Sequence, residues 1–224
     1  QRNAPAMSDD DLDAVFLESF QKRPEELFKV FDREPIAAAS IGQVHRAVLH
    51  SGDEVAVKVQ YPEIVTAIKN DFDNLDNLKK FVTLLFPKAP NIDSYLKELK
   101  RSLAEECDYE MERKWLETFG EMAGERLPFI GIPKCYGDFS SQTVLTMEYM
   151  NGVSFSETLN YDQDTKDRLG QNLYDFHNFC FYEARMLHTD PQYGNYLFQK
   201  DKNVMLGLFT NHVNNSSNGL YAAL

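Results

Sequence analysis

Apolar residues along this chain fall into two periodicities, and the order in which they alternate predicts an α+β fold. Leu12, Val15, Phe16 and Phe20 recur at helical spacing behind Ser8-Asp9-Asp10-Asp11, where Ser8 suits an N-cap and the acids suit the positive end of a helix. Period two then takes over. Pro35 to Leu49 and Glu54 to Gln60 read as strands joined by the turn Ser51-Gly52-Asp53, and Pro62 closes the second. Residues 63–86 read as helical, Pro87 and Pro90 interrupt, and a long charged helix is predicted from Ile92 to Phe119. Two further strands, Ile132 to Tyr136 and Thr143 to Tyr149, are separated by Gly137-Asp138 and Ser140-Ser141. Met150-Asn151-Gly152 reads as a linker. Asp164 to Ala184 is an amphipathic helix with Leu169, Leu173, Phe176 and Cys180 on one face. No internal repeat is found.

A strand-rich part with one long helix, a short linker and a helical part with a polar loop is the plan of a two-lobed kinase fold. The predicted organisation is a helical segment over residues 1–33, an N-lobe over 34–150, a partial C-lobe over 151–213 and a disordered tail over 214–224. Composition narrows the function classes. A hydrophobic fraction of 43% with 26% charged residues is that of a globular protein, and a net charge of −12 argues against nucleic acid as a partner. Three widely spaced cysteines, Cys107, Cys135 and Cys180, show no metal-ligand pattern and fit a reducing intracellular compartment. No apolar run is long enough to span a bilayer, and residues 1–20 lack a signal-peptide core.

The chemistry concentrates in three places. In His188-Thr189-Asp190-Pro191-Gln192-Tyr193-Gly194-Asn195 an Asp is followed five residues later by an Asn. That is the spacing of a kinase catalytic loop, in which the Asp serves a hydroxyl nucleophile and the Asn holds Mg²⁺. Upstream, Ala37-Ala38-Ala39-Ser40-Ile41-Gly42-Gln43-Val44 follows the phosphate-loop pattern with alanine at the first two glycine positions. Alone it reads as an ordinary tight turn. Followed at kinase spacing by Val55-Ala56-Val57-Lys58, it reads as a phosphate cradle that Cβ atoms stiffen. Strand alternation puts Val55, Val57 and Val59 on one face and Ala56, Lys58 and Gln60 on the other. Ala56 then offers a wall to an adenine ring and Lys58 points toward α- and β-phosphates. A buried lysine needs a carboxylate. Glu105, Glu106, Asp108, Glu110 and Glu112 are candidates, and Glu105, Asp108 and Glu112 share a helical face.

These residues resemble the UbiB/AarF atypical kinase family, over about Phe28 to Phe198. Pro35 to His45 looks like its alanine-rich loop, Val55 to Gln60 like its lysine strand, Glu105 to Glu112 like its Glu-x-Asp helix and His188 to Asn195 like its catalytic loop. The resemblance implies that Glu112 pairs with Lys58, that Glu106 and Asp108 form the Glu-x-Asp pair, that Asp190 is the catalytic aspartate and that Asn195 is a Mg²⁺ ligand. The nucleotide-binding set is Ala37, Ala38, Ala39, Ser40, Ile41, Gly42, Val44, Ala56 and Lys58, with Glu148 and Met150 beside the linker. ATP and Mg²⁺ are the implied cofactors. Quinone-lipid (ubiquinone) biosynthesis is the implied setting, with a quinone-lipid precursor or membrane-associated biosynthetic proteins as partners. The implied compartment is mitochondrial, plastid or bacterial cytoplasmic, with membrane association.

Three departures shape the functional expectation. The family's Lys-x-Gly-Gln motif is not in the sequence, and Gln192-Tyr193 stands where many members have His-Pro. Leu208-Phe209-Thr210 occupies the place of Asp-Phe-Gly, so an acidic metal ligand is missing. The first reading is an atypical kinase or ATPase binding Mg·ATP between the lobes, impaired in this chain, which reads as a fragment or variant copy. The alternative is a catalytically dead pseudokinase that acts as a binding module. A phosphotransferase of the antibiotic-kinase type shares the Asp-to-Asn spacing but leaves the alanine-rich loop and Glu-x-Asp helix unexplained. A shortened second lobe predicts that the apolar face of the Asp164–Ala184 helix is partly uncovered.

Overall fold

Helix α1 (Asp9–Phe20) begins where its cap predicts: Ser8 is extended, and its hydroxyl accepts the Asp11 N–H at 3.1 Å. Its apolar stripe is buried, with Leu12, Val15 and Phe16 packed against Phe28 and Phe31. The computed structural model describes residues 6–39, 41–62, 64, 101, 107–188, 194, 196–200, 204–206 and 213–215. After the short helix α2 (Pro24–Leu27) comes an antiparallel sheet of five strands: β1 (Val30–Phe31), β2 (Ala37–Ala38), β3 (Gly42–Val48), β4 (Glu54–Gln60) and β6 (Val144–Glu148). The order is β1-β3-β4-β6, and β2 pairs with the same edge of β3 as β1 does. The sheet thus begins at Val30, ahead of the residue-34 boundary read from the sequence.

The register sorts the side chains as the alternation predicts. Val57 lies opposite His45 and Thr146, and Val55, Val57 and Val59 are buried against α1. Lys58 lies opposite Val44 and Leu145, and Ala56 opposite Arg46 and Met147, so these residues share the other face. Where one strand was expected from Pro35 to Leu49, two form, because the chain doubles back through a turn closed by the Ala39 N–H on the Gly42 carbonyl at 2.9 Å. A Cβ on Gly42 would sit 2.1 Å from the Val59 carbonyl oxygen, so β3 and β4 can meet at this point only through glycine.

A polar chain crosses the α1 side of the sheet. The Met7 N–H donates to Gln43 Oε1 (2.9 Å), Gln43 Nε2 lies 2.9 Å from His45 Nε2, and His45 Nδ1 lies 2.8 Å from the Asp32 carbonyl. A carbonyl can only accept, so Nδ1 carries the proton and Nε2 accepts from Gln43. His45 is fully buried and stacked on Phe31, with ring centroids 5.0 Å apart.

Helix α3 (Tyr109–Ala123) corrects the helix expected from Ile92 to Phe119. Asp108 is its N-cap, with φ −116° and ψ 95°, and its carboxylate accepts the Glu110 and Met111 N–H groups. It therefore precedes the helix instead of sharing a face with Glu112; residues 63, 65–86, 92–100 and 102–106 of the regions read as helical, Glu105 among them, lie outside the described residues. Of the strand expected over Ile132–Tyr136 an isolated bridge from Cys135 to Met147 forms, and the short strand β5 (Ile130–Gly131) lies just before the expected span. Pro133, which has no N–H to give a ladder, stands between the two. Past the linker lie the short helix α4 (Phe155–Thr158), helix α5 (Gln163–Asn178) capped by Asp162, and a π-helix over Phe179–Ala184. The single helix expected over Asp164–Ala184 thus changes winding at Phe179 and ends at Arg185, with φ 53°. Strand β8 (Tyr196–Phe198) pairs with β9 (Val204–Leu206), which pairs parallel with β5. Strand β7 (Met186–His188) pairs with β10 (Val213–Asn215), so regular structure reaches into the segment read as a disordered tail.

One core joins the two halves. It runs from Ile41, Leu145 and Met147 through Tyr109, Leu116 and Phe119 to Leu169, Phe176, Phe179, Cys180, Tyr196 and Phe198. The expected uncovered face of α5 is therefore closed: Phe119 meets Phe176 edge-on at 5.7 Å, and Tyr196 meets it at 6.3 Å. Among the described residues the exposed aromatics are instead Tyr174, Phe181 and Tyr182.

Candidate functional site

The chemistry of the shared core centres on Lys58. Alternation along β4 turns its side chain away from α1, and it is 2% exposed. Its ammonium donates to both carboxylate oxygens of Glu112, at 2.8 and 3.0 Å. It also lies over the Tyr109 ring, 4.5 Å from the centroid. The ion pair expected between the lysine strand and the Glu-x-Asp helix is present. Helix α3 sets it up from its first turn. The Asp108 carbonyl accepts the Glu112 N–H at 3.2 Å, so Glu112 sits one turn beyond the cap. The Tyr109 N–H donates to the Gln142 carbonyl at 3.0 Å and ties the same turn to the start of β6.

The alanine-rich loop approaches from β2. Ala37 and Ala38 are exposed and paired with Val44 and Gln43. The Ile41 side chain is buried in the shared core, and its carbonyl accepts the Tyr61 N–H at 3.0 Å, which fixes the end of the loop to the end of β4. Val44 is buried on the Lys58 face beside half-buried Ala56. Glu148 pairs with Val55, so its exposed side chain leaves the opposite face of the sheet. Met150 is half-buried at the start of the linker.

Four sequence-predicted residues, Ser40, Glu106, Asp190 and Asn195, lie outside the described residues, as do Leu208, Phe209 and Thr210. Among the described residues no cluster of three or more His, Cys, Asp or Glu could hold a metal ion. Three residues of the site escaped the sequence reading. Leu145 and Met147 flank Lys58 and Ala56 across the sheet and are buried; the alternation used for β4, applied to Val144-Leu145-Thr146-Met147, carries that signal. Tyr109 had no sequence signal, since its place under Lys58 depends on where α3 begins. A separate hollow of about 350 Å³, lined in part by Arg126, Asp175 and Glu183, is no rival. Arg126 pairs with Glu183, and Asp175 accepts from Gln171. Nor do Cys135 and Cys180 offer a nucleophile: burial pushes their thiols up to about 12.

The chain is similar to known atypical kinases. The chain is 36% identical over 208 residues to an atypical kinase, mitochondrial COQ8 of Schizosaccharomyces pombe, covering 91% of this chain and 33% of that one. It is 36% identical over 172 residues to mitochondrial atypical kinase COQ8B of Danio rerio, covering 77% and 27%. COQ8 of Saccharomyces cerevisiae is 31% identical over 201 residues, covering 88% and 39%. The chain therefore spans about a quarter to two-fifths of the length of these curated relatives. Among solved structures, Rv3197 of Mycobacterium tuberculosis, in complex with erythromycin, superposes with a TM-score of 0.78 at 26% identity, covering 90% of this chain and 51% of that one. The fold is accordingly kinase-like, with the antiparallel sheet as its N-terminal part. The model of the ABC1 atypical kinase-like domain matches residues 1–212, and the chain belongs to that family.

Proposed function

We propose that this chain is the nucleotide-binding core of a UbiB-like atypical kinase or ATPase, with ATP lying against the Lys58 face. The observation that carries the reading is a lysine buried on a central strand and held by one carboxylate on a neighbouring helix. A buried ion pair is a poor source of stability compared with apolar packing, so its presence here points to use. Val44, Ala56 and Met147 offer an apolar wall to the base, and the backbone at Glu148 and Met150 borders it. Lys58 is a compact cationic partner for α- and β-phosphates, with the turn of Ala37, Ala38, Ala39, Ser40, Ile41 and Gly42 above them. Asp190 accepts the proton of an acceptor hydroxyl or orients water. Asn195 is the residue proposed to hold Mg²⁺, which when bound neutralises charge on the phosphates. Glu106 and Asp108 complete the Glu-x-Asp element; Asp108 acts there through the start of α3.

The mitochondrial COQ8 relatives support a setting in ubiquinone biosynthesis, with a quinone-lipid precursor or membrane-associated biosynthetic proteins as partners and a mitochondrial location. Among the described residues no helix is long and apolar enough to cross a membrane. A second reading, a binding module with little turnover, is favoured by Leu208, an apolar residue where kinases place an acidic metal ligand. Calorimetric titration with ADP and ATP, followed by an ATPase assay with and without Mg²⁺, tests both. Nucleotide is expected to bind, with affinity falling at least about tenfold in Lys58→Ala, and turnover to be negligible and insensitive to Mg²⁺. Absence of binding, or binding untouched by Lys58→Ala, overturns the first reading. Robust Mg²⁺-dependent turnover abolished by Asp190→Asn overturns the second.

A further inference from the structure

Two residues beyond Lys58, on the same face of β4, lies Gln60. It is 1% exposed, and its Nε2 donates to the Cys107 carbonyl at 2.8 Å. Its Oε1 is buried and meets no donor among the described residues. An amide satisfied on one side only is a costly occupant of a buried strand end, and a leucine would fill the space without that penalty. What the amide provides is one directed hydrogen bond to the residue just before the N-cap of α3.

We propose that Gln60 is a positioning residue that sets the pitch and rotation of α3, and through it the place of Glu112 against Lys58. The spacing supports this. Lys58 and Gln60 are two residues apart on a strand, about 6.6 Å, and their partners lie on either side of the N-cap Asp108. The two contacts therefore form two rungs between β4 and this segment, Gln60 to Cys107 just before the cap and Lys58 to Glu112 in the first turn. The Tyr109 N–H on the Gln142 carbonyl ties the same turn to β6, and Gln60 adds a tie from β4; because that tie ends on a backbone carbonyl, it acts on the chain entering the helix and not on a side chain. The site is also where the loop is anchored: Gly42 pairs with Gln60 in register, and the next residue, Tyr61, donates to the Ile41 carbonyl. Loop end, lysine strand and carboxylate helix thus meet within one residue of Gln60.

The functional consequence rests on the nucleotide reading above, but the test does not need nucleotide. Hydrogen exchange is measured on the nucleotide-free chain for the amides of Glu110, Met111 and Glu112 and for the β3–β4 ladder, as protection factors. In Gln60→Leu the α3 amides are expected to lose about tenfold in protection, with the ladder unchanged and Lys58 more reactive toward an acylating reagent. Gln60→Glu supplies the signature that packing alone would not give. In acid its neutral carboxyl donates to the Cys107 carbonyl and restores protection; as it ionises, two oxygens face each other and protection falls below that of Gln60→Leu. Unchanged α3 protection in Gln60→Leu, or uniform loss across sheet and helix, overturns the proposal, as does a Gln60→Glu variant without this pH dependence. ADP affinity measured on the same variants should follow α3 protection. A wild-type chain that binds no ADP would defeat the nucleotide reading and leave the exchange result standing.

Discussion

At the scale of single residues the decisive contact is Lys58 with Glu112, whose side chains are 2% and 13% exposed. Removing one partner strands the other's charge in the core, so Lys58→Ala or Glu112→Ala is expected to cost about 3–5 kcal/mol in urea unfolding. Replacing both with apolar residues of similar volume, Lys58→Met with Glu112→Leu, should recover most of that loss without restoring nucleotide affinity. Recovery of both would mean the pair serves folding alone. Lysine orientation was legible in the sequence because strand alternation admits only two answers and the valines occupy one of them. The identity of its partner was not. Five acids stand close together in the sequence, and it was the family resemblance that singled out Glu112. Spacing placed Asp108 on the same face, whereas an Asp can equally begin a helix by accepting backbone N–H groups, as it does here.

At the scale of elements, the start of α3 matters more than its length. Asp108 satisfies the Glu110 and Met111 N–H groups, and Glu112 follows within the first turn. Asp108→Ala is expected to cost about 1 kcal/mol, read by thermal unfolding. The same variant should weaken ADP binding, because fraying of that turn releases Glu112; Asp108→Asn should retain most of both. The elements that sequence periodicity misplaced have separate physical causes. The turn between β2 and β3 depends on Gly42 meeting the Val59 carbonyl, a contact between residues far apart in sequence. The change from α- to π-winding at Phe179 leaves the apolar spacing of Asp164–Ala184 nearly intact, so a search for one helical face passes over it. Pro133 has no N–H to give a ladder, a local signal against a strand over Ile132–Tyr136.

At the scale of the molecule, stability is tied to pH through buried histidine. Burial lowers the pKa of His45, and likewise that of His177, below the ordinary value near 6.5. Above about pH 6.5 both rings are neutral in folded and unfolded chains, and the contribution is complete. As pH falls below that, the unfolded chain takes up protons that the folded chain refuses, so stability declines until the depressed folded pKa is reached. Glu25, Glu157 and Asp162 have lowered pKa values, chiefly from hydrogen bonds with Arg33, Ser154 and Thr165 respectively. Their contribution is lost only in stronger acid, below about pH 4.5. Urea unfolding at pH 7.5 and 5.5 should therefore show lower stability at the acid value, by no more than about 1.4 kcal/mol per histidine per pH unit. In His45→Gln that difference should shrink, and an unchanged difference would remove His45 from the account. The two-part plan and the Lys58 face were legible from local pattern. The polar chain from Met7 to Asp32 was not, because Gln43 and His45 look in sequence like ordinary members of a strand.

The core that runs unbroken from Ile41 and Met147 to Phe198 has a consequence for abundance in a cell. Residues that would line the binding wall are the same residues that hold sheet and helices together, so occupancy and folding are one equilibrium. A ligand held at a hundred times its dissociation constant would add about 2.7 kcal/mol to the stability of the whole chain. Where nucleotide is scarce, the unfolded fraction open to proteases rises accordingly. The level of the protein would then follow the supply of its ligand, with no change in its synthesis.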